Sequence, residues 1–310
     1  MGTATASRID GPAALGTERG QLVAQGFCVL RGLLPADLLV RLRIVTGRML
    51  DALGEEQKQR SGGQGSIFAM EYQDPVFAEL IALPEAWQAL HALGFPRPRY
   101  WSGFVIAKEP HSSQLYWHQD WPFWDDPVSA DPLPHQLFLM WYLVDTRPEN
   151  GCLRLLPRSH RLRCDVHDAI GTGHDDTVRH EDPATSPAYR RHPDEVEVPV
   201  RAGDLVIGDA RLLHAAHGNA TARRRTVITM WYLPRYDELS EALRAAFQER
   251  LYAAPPPDLP AEQLNRIRHL LPDYAGNAAA APWNRIPGPH LAGTEGTPRV
   301  AIPPPVREAD

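Results

Sequence analysis

His118-Gln119-Asp120, followed much later by His214, supplies two imidazoles and a carboxylate that together could bind a divalent metal. Such a set occupies three adjacent corners of an octahedron around Fe(II) and leaves three positions open for substrates and O2. The first pair lies in Tyr116-Trp117-His118-Gln119-Asp120, where the two-residue period of a strand would put His118 and Asp120 on one face. In a chain with 13 histidines an HxD pair alone says little. The downstream half gives it weight. Gly203-Asp204 turns into the apolar run Leu205-Val206-Ile207, and Leu212-Leu213-His214 follows. Arg225 then heads a second apolar run, Thr226 to Trp231, and an arginine there could hold a dicarboxylate in a two-pronged grip. His217 competes with His214, but in an extended segment the two point to opposite faces, so only one can join His118 and Asp120.

Taken in order, Tyr116–Asp120, Trp141–His160 (WYLVDTRPENGCLRLLPRSH) and Gly203–Arg225 (GDLVIGDARLLHAAHGNATARRR) give a joint pattern more specific than any one motif. Through it the chain resembles the phytanoyl-CoA dioxygenase (PhyH) family of Fe(II)/2-oxoglutarate oxygenases over roughly residues 20–235. The resemblance implies that His118, Asp120 and His214 bind iron and that Arg225 binds the C5 carboxylate of 2-oxoglutarate, with O2 as the other co-substrate. The family's histidine stands five residues before an asparagine, and Asn219 therefore selects His214 and leaves His217 outward or behind the ligands. Two positions depart from the pattern: Ala216 replaces a hydroxyl residue found in some relatives, and Arg158 replaces the glycine common before Ser-His. The implied reaction hydroxylates an unactivated C–H of a small metabolite and releases succinate and CO2; desaturation and ring formation are variants. Related halogenases need a small residue where this chain has Asp120, so the carboxylate favours oxygenation. Two other readings use the same residues: a cupin-like isomerase or hydrolase without 2-oxoglutarate, and a non-catalytic metal-binding barrel.

The elements that would position these groups are short. Residues 1–18 read as a flexible tail, and Val23 to Arg31 as a helix end followed by a strand. Pro35-Ala36-Asp37 opens an amphipathic helix through about Leu53; Gln57 to Gly65 reads as a loop; a second helical region from Asp74 to Leu93 is broken or restarted at Pro84. From Tyr100 short apolar strands alternate with Pro, Gly and Asp, which predicts a sandwich or barrel. The fold expected is mainly β with flanking helices, around a double-stranded β-helix (jelly-roll, cupin-like) core. Asn150-Gly151 predicts a hairpin that aligns Trp141-Tyr142-Leu143 with Leu153-Arg154-Leu155. Helices are expected over Glu238–Tyr252 and Ala261–Leu271, and an extended arm rich in Ala and Pro from Ala275. The domain boundaries expected are 1–18 tail, 19–235 oxygenase domain, 236–274 C-terminal helices and 275–310 arm.

Other side chains could serve the same site. Gln136 and Trp141 could touch the co-substrate, with core packing as the alternative for Trp141, and Lys108 could reach in from a neighbouring strand. Trp121 and Trp124, in the proline-rich segment Trp121–Pro134, are candidates for walls or lid of a substrate pocket. Arg154 and Arg158 could bind an anionic substrate group or form structural ion pairs. In Arg161–Asp194, His167, His174, His180 and His192 lack the fixed spacing of a zinc motif. Net charge −6, with no dense basic run, argues against nucleic acid and weakens a CoA-linked substrate. Three cysteines without paired spacing fit a reducing cytosol. No apolar run approaches the ~18 residues of a spanning helix, and no leader segment is evident. The expectation is a cytoplasmic protein with a small-molecule substrate, no membrane or nucleic-acid contact and no obligate protein partner.

Overall fold

A two-residue period along the strands sorts side chains between the faces of a six-stranded antiparallel sheet in the computed structural model. The structure describes residues 16–59, 64–70, 72–172, 178–179, 181–251, 260–288 and 290–291. The strands are β1 (Phe27–Leu30), β2 (Ser66–Ala69), β3 (Arg99–Lys108), β4 (Leu115–His118), β5 (Leu137–Tyr142), β6 (Leu153–Leu155), β7 (Val196–Val198), β8 (Leu205–Asp209), β9 (His214–Ala216) and β10 (Arg225–Leu233). The larger sheet has the order β1-β8-β5-β10-β3-β2, and a four-stranded sheet has the order β4-β9-β6-β7. Together they form the expected double-stranded β-helix with flanking helices.

One face of the larger sheet is sealed by helices. Leu137, Leu139 and Trp141 of β5, Leu205 and Ile207 of β8 and Ile228, Met230 and Tyr232 of β10 share a core with Ile267 near the C-terminus and with residues of four N-terminal helices. These are α1 (Gly16–Gln25), α2 (Ala36–Asp51), α4 (Pro75–Ile81) and α5 (Pro84–Ala92); a short α3 (Glu55–Gln59) lies between α2 and β2. Two of them begin at proline, whose missing N–H costs nothing in a first turn, and Asp74 caps α4 by accepting from Val76 N at 3.0 Å. The break at Pro84 is thus two helices. Residues 16–18 belong to α1 rather than to a tail, with Glu18 in the first turn, where an acid complements the helix dipole, and Arg19 donating to Leu93 O. Of the loop expected over Gln57 to Gly65, Gln57–Gln59 belong to α3 and residues 60–63 lie outside the described residues.

Two connections differ from expectation. Asn150-Gly151 does not pair β5 with β6: β5 pairs with β8 and β10, whereas β6 pairs with β7 and β9. The turn, with Gly151 at φ +89°, carries the chain from one sheet to the other, a crossing that a local hairpin signal cannot distinguish. The C-terminal helices are shorter than their periodic patterns: α7 covers Glu241–Glu249 after a 3-10 turn at Tyr236–Glu238, and α8 covers Ala261–Ile267 before another at Arg268–Leu270. In Arg161–Asp194, a short α6 (Asp165–Ala169) includes the buried His167; His174 and His180, like Pro255–Pro257, lie outside the described residues.

The arm returns to the barrel. Ala281 N donates to Ala242 O at 3.0 Å, Asn284 N to Pro122 O at 2.7 Å, and Trp124 N to Asn284 O at 3.1 Å. No helix among the described residues is long and apolar enough to cross a membrane.

Candidate active site

His118 and His214 face each other as a cross-strand pair, because β4 and β9 align in that register. Asp120 lies two residues past the end of β4, and its backbone N–H donates to Ala210 O at 2.8 Å. That bond brings its carboxylate 3.9 Å from His118 Nε2 and 3.6 Å from His214 Nε2. A metal held at ~2.1 Å by each ligand spans such separations. All three residues are buried, and their ligand atoms lie within 4.8 Å of one another.

The surroundings fix which atoms face a metal. His118 Nδ1 sits 3.1 Å from Tyr116 O, and His214 Nδ1 sits 3.0 Å from Leu212 O. A carbonyl only accepts, so each Nδ1 carries the proton and each Nε2 keeps its lone pair for the cluster. Trp231 Nε1 donates to Asp120 Oδ2 at 2.8 Å, which orients the carboxylate. His217 lies outside this set, with Nε2 3.0 Å from Glu197 Oε1. Glu195, Glu197 and His217 form a second group of possible ligands, but Arg154 and Arg191 already engage its acids.

These residues open onto a cavity of ≈ 270 Å³. Arg225, Val227, Thr229 and Trp231 line it at alternate positions of β10, as do Phe104, Ile106 and Lys108 of β3. Arg225 pairs with Lys108 in register, so a guanidinium and an amine meet at one end. Arg225 is 4% exposed, and its Nε has no hydrogen-bond partner among the described residues. Burial lowers its pKa; burial and then the neighbouring Arg225 charge push that of Lys108 well below the usual ammonium range. Lys108 donates to Ser113 O at 2.7 Å. An unpartnered buried guanidinium is costly unless an anion completes it, and a carboxylate entering the cavity could do so in two-pronged fashion.

Gln136 also lines the cavity, and its Oε1 is buried without a partner among the described residues. Sequence reasoning overlooked Tyr142, which projects to the same side of β5 as Met140, and Trp231, which the Arg225 alternation could have revealed. It also missed Arg179 and Arg285, which reach the cavity from the Arg161–Asp194 segment and from the arm.

Five candidates lie elsewhere. Trp141 points to the opposite face of β5 from Met140 and Tyr142, into the helix-packed core. Trp121 and Trp124 are neither wall nor lid: they are 1% and 0% exposed and pack with Phe123, Leu243 and Phe247 in a separate core. Their segment is pinned there, since Trp121 Nε1 donates to Ser129 Oγ at 2.8 Å and Arg211 Nη1 to Ser129 O and Asp131 O at 2.8 and 2.7 Å. Arg154 forms a structural pair: it is wholly buried, bonds Glu195 Oε2 at 2.5 Å and lies over the Trp117 ring at 4.8 Å. Arg158 is not among the cavity residues; it occupies a turn at φ +73°, the left-handed conformation that favours glycine.

A model of the family described as phytanoyl-CoA dioxygenase (PhyH) matches residues 22–227. Phytanoyl-CoA dioxygenase domain-containing protein 1 of Mus musculus is 27% identical over 196 residues, covering 62% of this chain and 62% of that protein. The match to its Rattus norvegicus counterpart covers 54% of that protein, so the chain spans only about three fifths of these relatives' length. The ectoine dioxygenase of Stutzerimonas stutzeri is 27% identical over 258 residues, covering 77% of this chain and 81% of the relative. Among solved structures, the non-heme α-ketoglutarate dependent epimerase SnoN from nogalamycin biosynthesis superposes with a TM-score of 0.53 at 24% identity, covering 72% of this chain and 84% of SnoN. EctD from S. alaskensis with 2-oxoglutarate and 5-hydroxyectoine gives 0.53 at 20% identity, covering 74% and 79%.

Proposed function

Because the chain belongs to the phytanoyl-CoA dioxygenase (PhyH) family, we propose that it is an Fe(II)/2-oxoglutarate-dependent dioxygenase that hydroxylates an unactivated C–H of a small metabolite, releasing succinate and CO2. One observation carries the reading. Two Nε2 lone pairs and a carboxylate converge on the cavity whose far strand ends hold a buried arginine without a partner among the described residues. A cupin-like hydrolase or isomerase needs the first half of that arrangement and has no use for the second.

In this reading His118, Asp120 and His214 hold Fe(II). The bound iron, with O2 and 2-oxoglutarate, supplies the oxidising power for C–H cleavage. Each residue around it has a definable task. Tyr116 O and Leu212 O keep both histidines in the metal-binding tautomer, and Trp231 holds Asp120 in place. Arg225 takes the C5 carboxylate of 2-oxoglutarate, with the Tyr142 hydroxyl and Lys108 beside it and Gln136 on the same wall. The aromatic walls Trp101, Phe104 and Trp231 exclude water from the reacting C–H and offer apolar contact to the substrate.

The cavity volume, at the small end for ligand sites, favours a small metabolite, since most of a CoA thioester would have to lie outside. Free Cys28, Cys152 and Cys164 support a reducing, cytoplasmic setting. Protein reconstituted with Fe(II) and given 2-oxoglutarate and a metabolite library should yield succinate and a product heavier by one oxygen, read by mass spectrometry. Tight Fe(II) binding without any 2-oxoglutarate binding would overturn the proposal in favour of the cupin-like reading.

A further inference from the structure

Gln136 brings a side-chain amide into the cavity at the opposite end from Arg225. It directly precedes β5 and shares a face with Met140 and Tyr142, as the two-residue period requires. Its main chain is pinned, since Ala210 N donates to Gln136 O at 3.0 Å. The preceding His135 is held as well, with Nε2 2.6 Å from Asp131 Oδ2, to which Arg235 Nη1 donates at 3.0 Å. Gln136 is 1% exposed, yet its Oε1 has no hydrogen-bond partner among the described residues. A buried acceptor left in that state is costly, and a donor on a bound molecule relieves it.

Strand register says which molecule that is. Tyr142 pairs with Val227, near Arg225, whereas Gln136 lies one step beyond the Tyr232–Leu137 pair. The two ends of β5 are thus about 20 Å apart at ~3.3 Å per residue. A five-carbon dicarboxylate, built on C–C bonds of ~1.5 Å, covers less than half of that. Asp120 stands at the Gln136 end. Ala210, whose N–H reaches Gln136 O, accepts from Asp120 N at 2.8 Å, and Trp231, which holds the Asp120 carboxylate, pairs with Phe138. A co-substrate reaching from Arg225 to the metal therefore leaves Gln136 on the far side, where Trp101 and Trp231 also line the cavity. With Phe104 edge-on to Trp231 at 5.8 Å, these rings suit an apolar body, and the amide suits a polar group attached to it.

We propose that Gln136 is a specificity-determining residue that selects a substrate bearing a hydroxyl or an amide N–H, which donates to Oε1 while the apolar part rests against Trp101 and Trp231. This rests on the oxygenase reading, and the test separates the two. Anaerobic protein carrying Fe(II) and 2-oxoglutarate is titrated calorimetrically with two pairs of probes: 3-phenylpropan-1-ol and its methyl ether, and 3-phenylpropionamide and its N,N-dimethyl derivative. At least one donor-bearing probe should bind tenfold or more tighter than its methylated partner, because a site built to bond an O–H or N–H rejects the analogue lacking it. Which pair shows the difference identifies the group. Methylation adds bulk as well as removing the donor, so Gln136→Leu decides between the two: it should shrink the preference below threefold while binding 2-oxoglutarate as wild type does. Its ligand-free urea midpoint should equal or exceed that of wild type, since an unpartnered buried acceptor is gone. Equal binding within both pairs, no binding of either donor-bearing probe, a preference that survives in Gln136→Leu, a lower urea midpoint, or weakened 2-oxoglutarate binding in that variant overturns the inference. Failure of the wild-type protein to bind 2-oxoglutarate in the preparatory titration would instead overturn the oxygenase reading.

Discussion

Arg225→Met tests the buried guanidinium from two directions. Methionine keeps an unbranched stem and removes the charge. In the ligand-free protein the guanidinium is buried, its Nε has no partner among the described residues and Lys108 lies beside it, so its charge is a cost to the fold. The variant should be as stable as wild type without ligand, or more stable by ~1 kcal/mol or more. With 2-oxoglutarate the sign reverses. Losing a buried charge-assisted contact costs about 2–4 kcal/mol, roughly thirty- to a thousandfold in affinity. Lys108 sets where in that range the loss falls. Arg225 is one cause of its depressed pKa, so Lys108 charges more readily in the variant and can replace part of the lost attraction.

Thermal denaturation of the Fe(II)-loaded protein under argon reads both effects. At a concentration one hundred times its Kd, 2-oxoglutarate should stabilise the wild type by ~2.7 kcal/mol, a Tm rise of roughly 5 °C for a chain of this size. At the same concentration the variant should gain less than ~1 kcal/mol. Arg225→Met/Lys108→Met should fall to the weak end of the affinity range. A ligand-free variant that melts well below wild type, or one that keeps wild-type affinity, would refute the assignment of Arg225 as a ligand-completed charge.

Metal analysis should show His118→Ala, Asp120→Ala and His214→Ala each losing Fe(II), while His217→Ala, whose ring faces Glu197, retains it. Trp231→Phe removes the bond to Asp120 Oδ2 and should weaken Fe(II) binding by roughly ten- to a hundredfold without unfolding the protein, as measured by competitive chelator titration. Trp124→Ala should destabilise by about 3–5 kcal/mol in urea unfolding, because the ring is a fully buried core element; unchanged stability with altered substrate turnover would restore a lid role. Burial lowers the pKa of both His160 and His167 from 6.5 to about 4. The unfolded chain therefore binds more protons between those values, so stability is complete above about pH 6.5 and drains away as pH falls towards 4. Urea midpoints measured across that interval should fall less steeply in His160→Gln than in wild type.

Residues whose spacing matches the period of their own element were legible in the chain. Arg225 was placed inward because it heads an apolar strand, and the separation of His214 from His217 followed from extended backbone alone. The same arithmetic reaches Trp231, six residues after Arg225 and so on its face. The pairing of strands was not legible, because Asn150-Gly151 signals a turn without saying whether the next strand joins the same sheet. Trp141 shows the limit within one strand. A run buried on both faces, as β5 is, lacks the polar alternation that would reveal which side meets the cavity.

The aromatic segment after Asp120 illustrates a different loss of information. Trp121, Phe123 and Trp124 beside a metal ligand are equally consistent with a pocket wall and with a core, and what decides is whether another part of the chain covers them. Here α7 and the arm do, through Phe247, Leu243 and Trp283, all more than a hundred residues away in sequence. No local pattern encodes that contact. Covering those rings is also what carries Arg285 to the cavity, so the error about Trp124 and the omission of Arg285 have one physical origin. The metal ligands depend on the β4–β9 register and on the bonds that hold Asp120, whereas the arm reaches the cavity from outside the barrel. Substitutions that loosen the Asn284–Pro122–Trp124 attachment should then alter substrate preference before they alter Fe(II) binding. Parallel measurements of Fe(II) binding and of product distribution on Asn284→Ala and Trp283→Ala would check that order; earlier loss of the metal would show that the arm supports the ligands themselves.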